Sequence, residues 1–216
     1  MSGPARTIVV VTAGLAQPSS TRLLGDRLAA ATERHLGDAG IATWIEVVEL
    51  REHAPELVNH LLTGFPAPAL QKAIDAVVAA DAVIAVSPIF NASFSGLFKL
   101  FFDVLQRDAL AGTPTLLAAT GGTARHSLAL EHALRPLFAY LNAATVPTAV
   151  YAAAEDWGAQ GVAADASLVG RIDRAASELA AAVAGRPART AVADSFADPV
   201  PFEDLLAAQQ RTDRTP

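Results

Sequence analysis

The sequence predicts an α/β fold in which helices cover both faces of one five-stranded parallel sheet, a doubly wound three-layer αβα arrangement with strand order 2-1-3-4-5. Short apolar runs alternate with segments of helical periodicity, as in successive β-α-β units. Most of these runs are continuous rather than alternating, which is typical of strands that are buried on both faces. Each β-α-β crossover is expected to be right-handed.

Four of the five predicted strands are buried and one lies at the edge of the sheet. The run 44–50 (WIEVVEL) carries Glu46 and Glu49, which indicates an outer strand. The buried runs are 7–12 (TIVVVT), 82–87 (AVIAVS), 115–120 (TLLAAT) and 148–152 (TAVYA). Helices are predicted between and after these strands, at 21–36, 68–79, 96–105, 127–141 and 166–184.

A chain of 216 residues is long enough for one well-buried core, so we expect a single domain over residues 1–185. The remaining residues, 186–216, shift toward Pro, Asp, Arg and Gln and contain no strand-like run, which predicts an extended tail. Within it, 200–206 (VPFEDLL) holds apolar residues that either dock on the body or a neighbouring subunit, or stay disordered.

Composition excludes several classes of function. The chain has no cysteine, which excludes disulfides, thiolate metal sites, iron–sulfur clusters and a thiol nucleophile, so redox chemistry requires a bound cofactor. A net charge of -6 argues against a nucleic-acid partner. No run approaches the roughly 20 apolar residues of a membrane helix, and no signal peptide is recognisable, so we expect a cytoplasmic protein. Around His126, Glu131 and His132 the spacing matches no metal-binding helix, and no metal site is predicted.

The loop after the first strand is a candidate phosphate site, at the edge of the sheet where the strand order reverses. Its polar residues are Gln17, Ser19, Ser20 and Thr21, directly before a helix. Amides and hydroxyls at a helix N-terminus favour a phosphate, although a Ser or Thr there also serves simply as a cap. Neither a Walker motif nor G-x-G-x-x-G is present, which favours the terminal phosphate of a mononucleotide. Arg22 either adds charge to this phosphate or points into water.

The loop after the third strand combines apolar and polar groups in the segment 87–105 (SPIFNASFSGLFKLFFDVL). A flat ring with one polar edge needs apolar walls together with donors and acceptors at fixed points. The three phenylalanines of the following helix are predicted to pack inward or against another subunit. The candidate ring-binding residues are Pro88, Ile89, Phe90, Asn91 and Ser93.

The loop after the fourth strand contains Thr120, Gly121 and Gly122. Two adjacent glycines allow a ligand to approach the backbone closely, so this loop is predicted to pass along the edge of the bound ring. His126 either reaches the ligand, holds the loop, caps a helix or lies in solvent.

Taken together, the three loops resemble those of the NADPH-dependent FMN reductase family, which has a flavodoxin-like fold. The resemblance extends over about residues 8–152 and is most specific in 80–103 (ADAVIAVSPIFNASFSGLFKLFFD). In that family a strand leads into Pro-x-Tyr, a polar residue and a Ser-x-Ser/Thr-Gly-x-x-Lys helix start. Phe90 stands where tyrosine is usual. The matching positions are Pro88, Phe90, Asn91, Ser93, Ser95, Gly96 and Lys99.

The resemblance implies that the three loops hold FMN and that NADPH or NADH transfers a hydride to it, with no side chain acting as catalytic acid or base. It also implies a homodimer or homotetramer, for which the apolar helix 98–105 (FKLFFDVL) offers an interface. A narrower resemblance, to reductases that serve luciferase-like enzymes, implies delivery of reduced FMN to a flavin-dependent monooxygenase. The alternatives are a flavodoxin-type electron carrier and an FMN-bound quinone or azo reductase.

Overall fold

The computed structural model describes residues 4–158 and 167–188. Within these residues seven strands form a single sheet, and every pairing is parallel except the β3–β4 hairpin. The strands are β1 (Arg6–Thr12), β2 (Thr43–Glu49), β3 (Ala82–Phe90), β4 (Ser93–Phe94), β5 (Pro114–Gly121), β6 (Ala144–Thr145) and β7 (Val150–Ala153).

The strand order is β2-β1-β3-β5, with β6 and β7 both paired to the outer edge of β5. β6 lies beside the beginning of β5, with Ala144 opposite Pro114, and β7 lies beside its end, with Val150 opposite Ala118. Because β6 and β7 are two pieces of one strand position, the predicted order 2-1-3-4-5 is confirmed. The fifth strand proper begins at Val150, two residues later than predicted.

Helices cover both faces of the sheet, as a doubly wound fold requires. α1 and α6 pack on one face, and the other helices pack on the opposite face. The segment predicted as one helix over 127–141 instead begins with a turn, continues as a π-helical turn over Leu130–Leu134 and ends as a short α-helix. The helices of the described residues are α1 (Ser20–Asp38), α2 (Ala54–Thr63), α3 (Pro68–Ala79), α4 (Gly96–Asp103), α5 (Arg135–Tyr140) and α6 (Leu168–Ala184).

The break between β6 and β7 has a clear chemical origin. Pro147 has no N–H to donate to β5, and the amide of Thr148 donates instead to the Glu178 carboxylate on α6, at 2.7 Å. The Arg135 guanidinium compensates by donating to the carbonyl oxygens of Val146 and Pro147, at 3.2 and 3.1 Å.

The three phenylalanines of α4 pack inward, which was one of the two predicted arrangements. Phe98, Phe101 and Phe102 are buried, and the rings of Phe98 and Phe102 lie 4.7 Å apart between centroids. Phe138 of α5 completes the cluster, 4.8 Å from Phe102. Each such ring contributes about 1.5–3 kcal/mol on burial. Since these rings belong to the core of the same chain, they do not supply the subunit interface that was expected of this helix.

The fold brings the carboxyl ends of β1, β3 and β5 to one edge of the sheet, where the three candidate loops follow. α1 packs closely on this sheet because Gly25 has no side chain: a Cβ there would lie 2.9 Å from Val10 Cγ1. No helix of the described residues has the length and apolar character needed to cross a membrane. The predicted tail lies outside the described residues from position 189 onward, together with its apolar segment 200–206.

Candidate functional site

A cavity of about 910 Å³ opens at the carboxyl edge of the sheet, between the loops that follow β1, β3, β5 and β7. Cavities of roughly 300–1,000 Å³ are typical of small-molecule sites. Its walls combine four structural elements that are distant in sequence. The lining residues are Leu15, Ala16, Pro18, Ser19, Ser20, Thr21, Leu23, Arg27, Pro88, Ile89, Phe90, Thr120, Gly121, Gly122, Ala154 and Trp157.

The predicted phosphate loop lies at the N-terminus of α1, and three of its hydroxyl residues line the cavity. Ser19 is also the N-cap of α1, since its Oγ accepts a hydrogen bond from the Arg22 amide at 3.2 Å. Gly14 lies beneath this cap, where a Cβ would force the Ser19 hydroxyl out of its capping position. Thr21 is buried and its hydroxyl lies 2.8 Å from that of Thr120, which ties the first loop to the third.

Two polar residues predicted in this first loop do not line the cavity. The Arg22 guanidinium lies 2.7 Å from Asp26 and 2.5 Å from Glu49, and the hydrogen bond that it donates to Asp26 is the main cause of a raised Arg22 pKa. The Gln17 carboxamide oxygen accepts from the Arg51 guanidinium. Both side chains therefore stabilise the surroundings of the loop, with their polar groups already paired.

The loop after β3 is a tight hairpin that presents one aromatic ring to the cavity. Asn91 and Ala92 have φ of 50° and 68°, the left-handed pair of a two-residue hairpin turn. Pro88, Ile89 and Phe90 line the cavity, and Phe90 is 46% exposed. The predicted Asn91 and Ser93 lie in and after the turn, outside the lining residues.

In the loop after β5, Thr120, Gly121 and Gly122 all line the cavity. Position 121 needs glycine because a Cβ there would collide with the Tyr151 hydroxyl. That hydroxyl donates to the Thr123 carbonyl at 2.9 Å and fixes the loop. Burial is the main cause of a raised Tyr151 pKa, and the negative charges of Glu155 and Asp156 raise it further. The hydroxyl is therefore a donor at neutral pH. His126 lies exposed in a 3₁₀ turn outside the cavity lining.

The wall formed by Arg27 and the turn after β7 was not predicted from the sequence. Arg27 follows Ser20 by seven residues and Leu23 by four, which places all three on one face of α1, so the α1 periodicity already contained this signal. Trp157 lies in the 3₁₀ turn Ala154–Trp157, and the Arg27 guanidinium stacks 5.1 Å from its ring centroid. The other unpredicted lining residues are Leu15, Ala16, Pro18, Leu23 and Ala154.

The residues present fit a flavin mononucleotide. Three hydroxyl residues and the free amides of the first turn of α1 suit its phosphate, and no carboxylate occurs among the described residues that line the cavity. Ile89 and Phe90 provide apolar surface for a flat ring, and Gly121-Gly122 provides accessible backbone beside it. The cavity thus has a hydroxyl-lined end at α1 and an apolar, glycine-lined end at β3 and β5.

Comparison with known proteins finds relatives named for the reduction of FMN. The family model described as NADPH-dependent FMN reductase matches residues 6–158. An FMN reductase (NADPH) of Pseudomonas aeruginosa is 36% identical over 181 residues, which are 83% of this chain and 93% of that protein. The NADH-dependent FMN reductase SfnE of Pseudomonas putida is 37% identical over 169 residues, 78% of this chain and 88% of that protein.

Solved structures show the same fold. An oxidoreductase from Corynebacterium diphtheriae superposes with a TM-score of 0.80 at 43% identity, covering 85% of this chain and 99% of that one. The apo form of the NADH:FMN oxidoreductase EMOB has a TM-score of 0.71 at 25% identity, with coverage of 86% and 94%. On the sequence match and the shared fold, the chain belongs to the NADPH-dependent FMN reductase family.

Proposed function

We propose that this chain reduces FMN with NADPH or NADH, taking one proton from solvent to give FMNH₂ and NADP⁺ or NAD⁺. The observation that carries the proposal is the cavity itself, which joins a hydroxyl-rich helix N-terminus to an apolar and glycine-lined slot across the ends of β1, β3 and β5. When bound, FMN supplies the hydride-accepting ring. The protein contributes binding, orientation and exclusion of water.

The phosphate of FMN would bind at Ser19, Ser20 and Thr21, where the α1 dipole and the free amides favour an anion. The ring would lie between Phe90 and the Gly121-Gly122 backbone. The Thr21–Thr120 hydrogen bond joins these two ends of the site. Hydride transfer between two correctly stacked rings needs no side-chain acid or base, and none of the described lining residues is a histidine or a carboxylic acid.

The direct test mixes the purified chain with free FMN and either NADPH or NADH, and follows the loss of nicotinamide absorbance. Oxidation of at least one nicotinamide that depends on FMN concentration is expected. Failure with both nicotinamides would leave the flavodoxin-type carrier as the better description. Spectra of the protein after gel filtration show whether FMN remains bound or leaves as a product.

We further infer that the reduced FMN leaves to supply a flavin-dependent monooxygenase. The support is the similarity to several proteins named for the reduction of FMN itself, rather than of a quinone or azo compound. Stopped-flow transfer of FMNH₂ to an added monooxygenase tests this step. A reductase that retains its FMN and passes electrons to quinones would overturn it.

Self-association and a cytoplasmic location are further parts of the proposal. α2 and the turn after it expose a group of large apolar side chains, among them Leu62 at 80% and Phe65 at 79%. Val58 and Leu61 are exposed on the same helix, and together they support a homodimer or homotetramer built through α2. Sedimentation of the wild type and of Leu62→Asp is the test, and a wild-type monomer at micromolar concentration would contradict it.

A further inference from the structure

Arg27 occupies a distinctive place on α1, on the same face as Ser20 and Leu23. It lies seven residues after Ser20, which is about 10 Å along the helix axis from the phosphate-binding turn. The guanidinium is stacked on the Trp157 ring at 5.1 Å, so its N–H edge is left available for an acceptor.

The charge of Arg27 is not neutralised by a neighbour. Arg22 is paired with Asp26 and Glu49, and Arg171 is paired with Asp156. No carboxylate in the described part of the chain lies within ion-pair distance of Arg27, and it is the one charged side chain among the described residues that line the main cavity. An anionic group of a ligand is therefore the partner that this position suits.

A second cavity, of about 700 Å³, adjoins the main one, and Arg27 lines both. α1 continues into it through Ala30, Ala31 and Arg34, and the first turns of α6 form the opposite wall with Val169, Gly170 and Ile172. The two opposite charges of this cavity, Arg34 and Asp173, pair with each other at 2.6 Å. The second cavity is thus a largely apolar groove lined by several small residues. It meets the main cavity at Arg27, whose charge is unpaired.

The shape of this arrangement matches a dinucleotide, in which a pyrophosphate lies between two nucleoside halves. We propose that Arg27 binds the pyrophosphate of the nicotinamide dinucleotide and that the second cavity receives its adenosine half, so that the nicotinamide reaches the flavin ring. This inference rests on the proposed function for the identity of the dinucleotide. FAD carries the same pyrophosphate and adenosine, so the experiment must separate the two sources.

The experiment measures binding independently of turnover. The chain has two tryptophans, and in a Trp44→Phe background Trp157 reports ligand binding by its fluorescence. NADP⁺, NAD⁺, FMN and FAD are titrated into this protein, into its Arg27→Ala and Arg27→Lys variants, and into Arg174→Ala as a control. Arg174 lies on α6 outside both cavities, so its removal reproduces only the change in net charge.

We expect Arg27→Ala to raise the dissociation constants of NADP⁺ and NAD⁺ by about tenfold or more, because a charged hydrogen bond is lost. Arg27→Lys should recover part of this affinity, and Arg174→Ala should match the parent protein. The affinity for FMN should stay within about twofold. Ala30→Phe, which fills the second cavity, should raise the dissociation constants of NADP⁺ and NAD⁺ in the same way.

Several results would overturn the inference. Unchanged NADP⁺ and NAD⁺ affinities would remove Arg27 from the site, and an effect on NADP⁺ alone would assign it to the 2′-phosphate. Weakened binding of FMN or FAD without an effect on the nicotinamide dinucleotides would assign Arg27 to the flavin. If Arg27-dependent binding of NADP⁺ or NAD⁺ is found but FMN is not reduced, the proposed function fails while this inference stands.

Discussion

Ser19 combines a helix cap with a position at the cavity, which the sequence presents as alternatives. Its hydroxyl caps α1 by accepting from the Arg22 amide, and the residue also lines the cavity at the proposed phosphate position. A helix that is capped in this way keeps its first turn ordered. The cap is therefore compatible with the phosphate site proposed there.

The contact between Gly14 and Ser19 predicts the effect of a single methyl group. Gly14→Ala should lower the free energy of unfolding by about 1–3 kcal/mol, because the new Cβ collides with the Ser19 hydroxyl. Ser19→Gly removes the obstacle and by itself costs only a few tenths of a kcal/mol as a cap. Urea unfolding should show the double variant to be more stable than Gly14→Ala. Equal instability of the two would mean that Ser19 is not the obstacle.

We predict that Tyr151 positions the loop after β5 for binding of the flavin. Tyr151→Phe removes the hydrogen bond to the Thr123 carbonyl, worth about 1 kcal/mol. We expect the dissociation constant of FMN to rise by about fivefold, measured by quenching of flavin fluorescence. Tyr140→Phe is the matched control, since Tyr140 is 63% exposed and lines no part of the cavity. An equal effect of both variants would contradict this role.

The four buried strands were predictable because continuous apolar runs mark strands that are buried on both faces, and the edge strand β2 because Glu46 and Glu49 interrupt its apolar run. α2 was not predicted, although Leu57 and Leu61 stand four residues apart, as on one helix face. Leu57 is its one buried residue. The hairpin strand β4 is two residues long and follows from the left-handed turn at Asn91 and Ala92. Alanine has no preference for that turn, so the sequence contained little signal for it.

The candidate site was likewise predictable only in part from the sequence. Loops that directly follow strands were found from their order along the chain. Nine of the fourteen predicted residues line the cavity, and these nine provide hydroxyl, apolar or glycine surface at the strand ends. Gln17, Arg22, Asn91, Ser93 and His126 do not, because side-chain pairing and turn geometry decide where a polar group points. Arg27 and Trp157 come together only through tertiary packing.

Arg135 holds the interrupted fifth strand position together, and its removal tests this element. Arg135→Ala should lower the free energy of unfolding by about 2–3 kcal/mol, because the Val146 and Pro147 carbonyls lose their donor. Arg135→Lys should give an intermediate value, since an ammonium replaces the planar fork with a point charge. Arg174→Ala, on the exposed side of α6, controls for net charge. Chemical denaturation at neutral pH is the measurement.

The pair of Arg135 and Glu131 also predicts a dependence on pH. The hydrogen bond from Arg135 lowers the pKa of Glu131 below its ordinary value of 4.5. A carboxyl with a lowered folded-state pKa stabilises the protein above 4.5, and this contribution is lost as the pH falls through the folded-state value. Glu131→Gln should therefore flatten part of the acid side of the stability profile. An unchanged profile would show that the exposed pair contributes nothing measurable.

At the scale of the whole molecule, FMN should stabilise the fold by mass action. A ligand at a hundred times its dissociation constant adds about 2.7 kcal/mol to the free energy of unfolding when it binds only the folded state. At equal concentrations FMN should raise the melting temperature more than riboflavin, because riboflavin has no phosphate for the α1 turn. Equal shifts would argue against a phosphate site there, whatever the result for enzymatic activity.

The interrupted strand beside β5 has a consequence for the behaviour of the molecule in a crowded solution. A long uninterrupted outer strand presents a row of unpaired amides and carbonyls on which another chain can add itself by edge-to-edge pairing. Here that border consists of two short pieces separated by a proline whose neighbouring carbonyls are occupied by Arg135. This border is therefore a poor template for aggregation by edge-to-edge pairing.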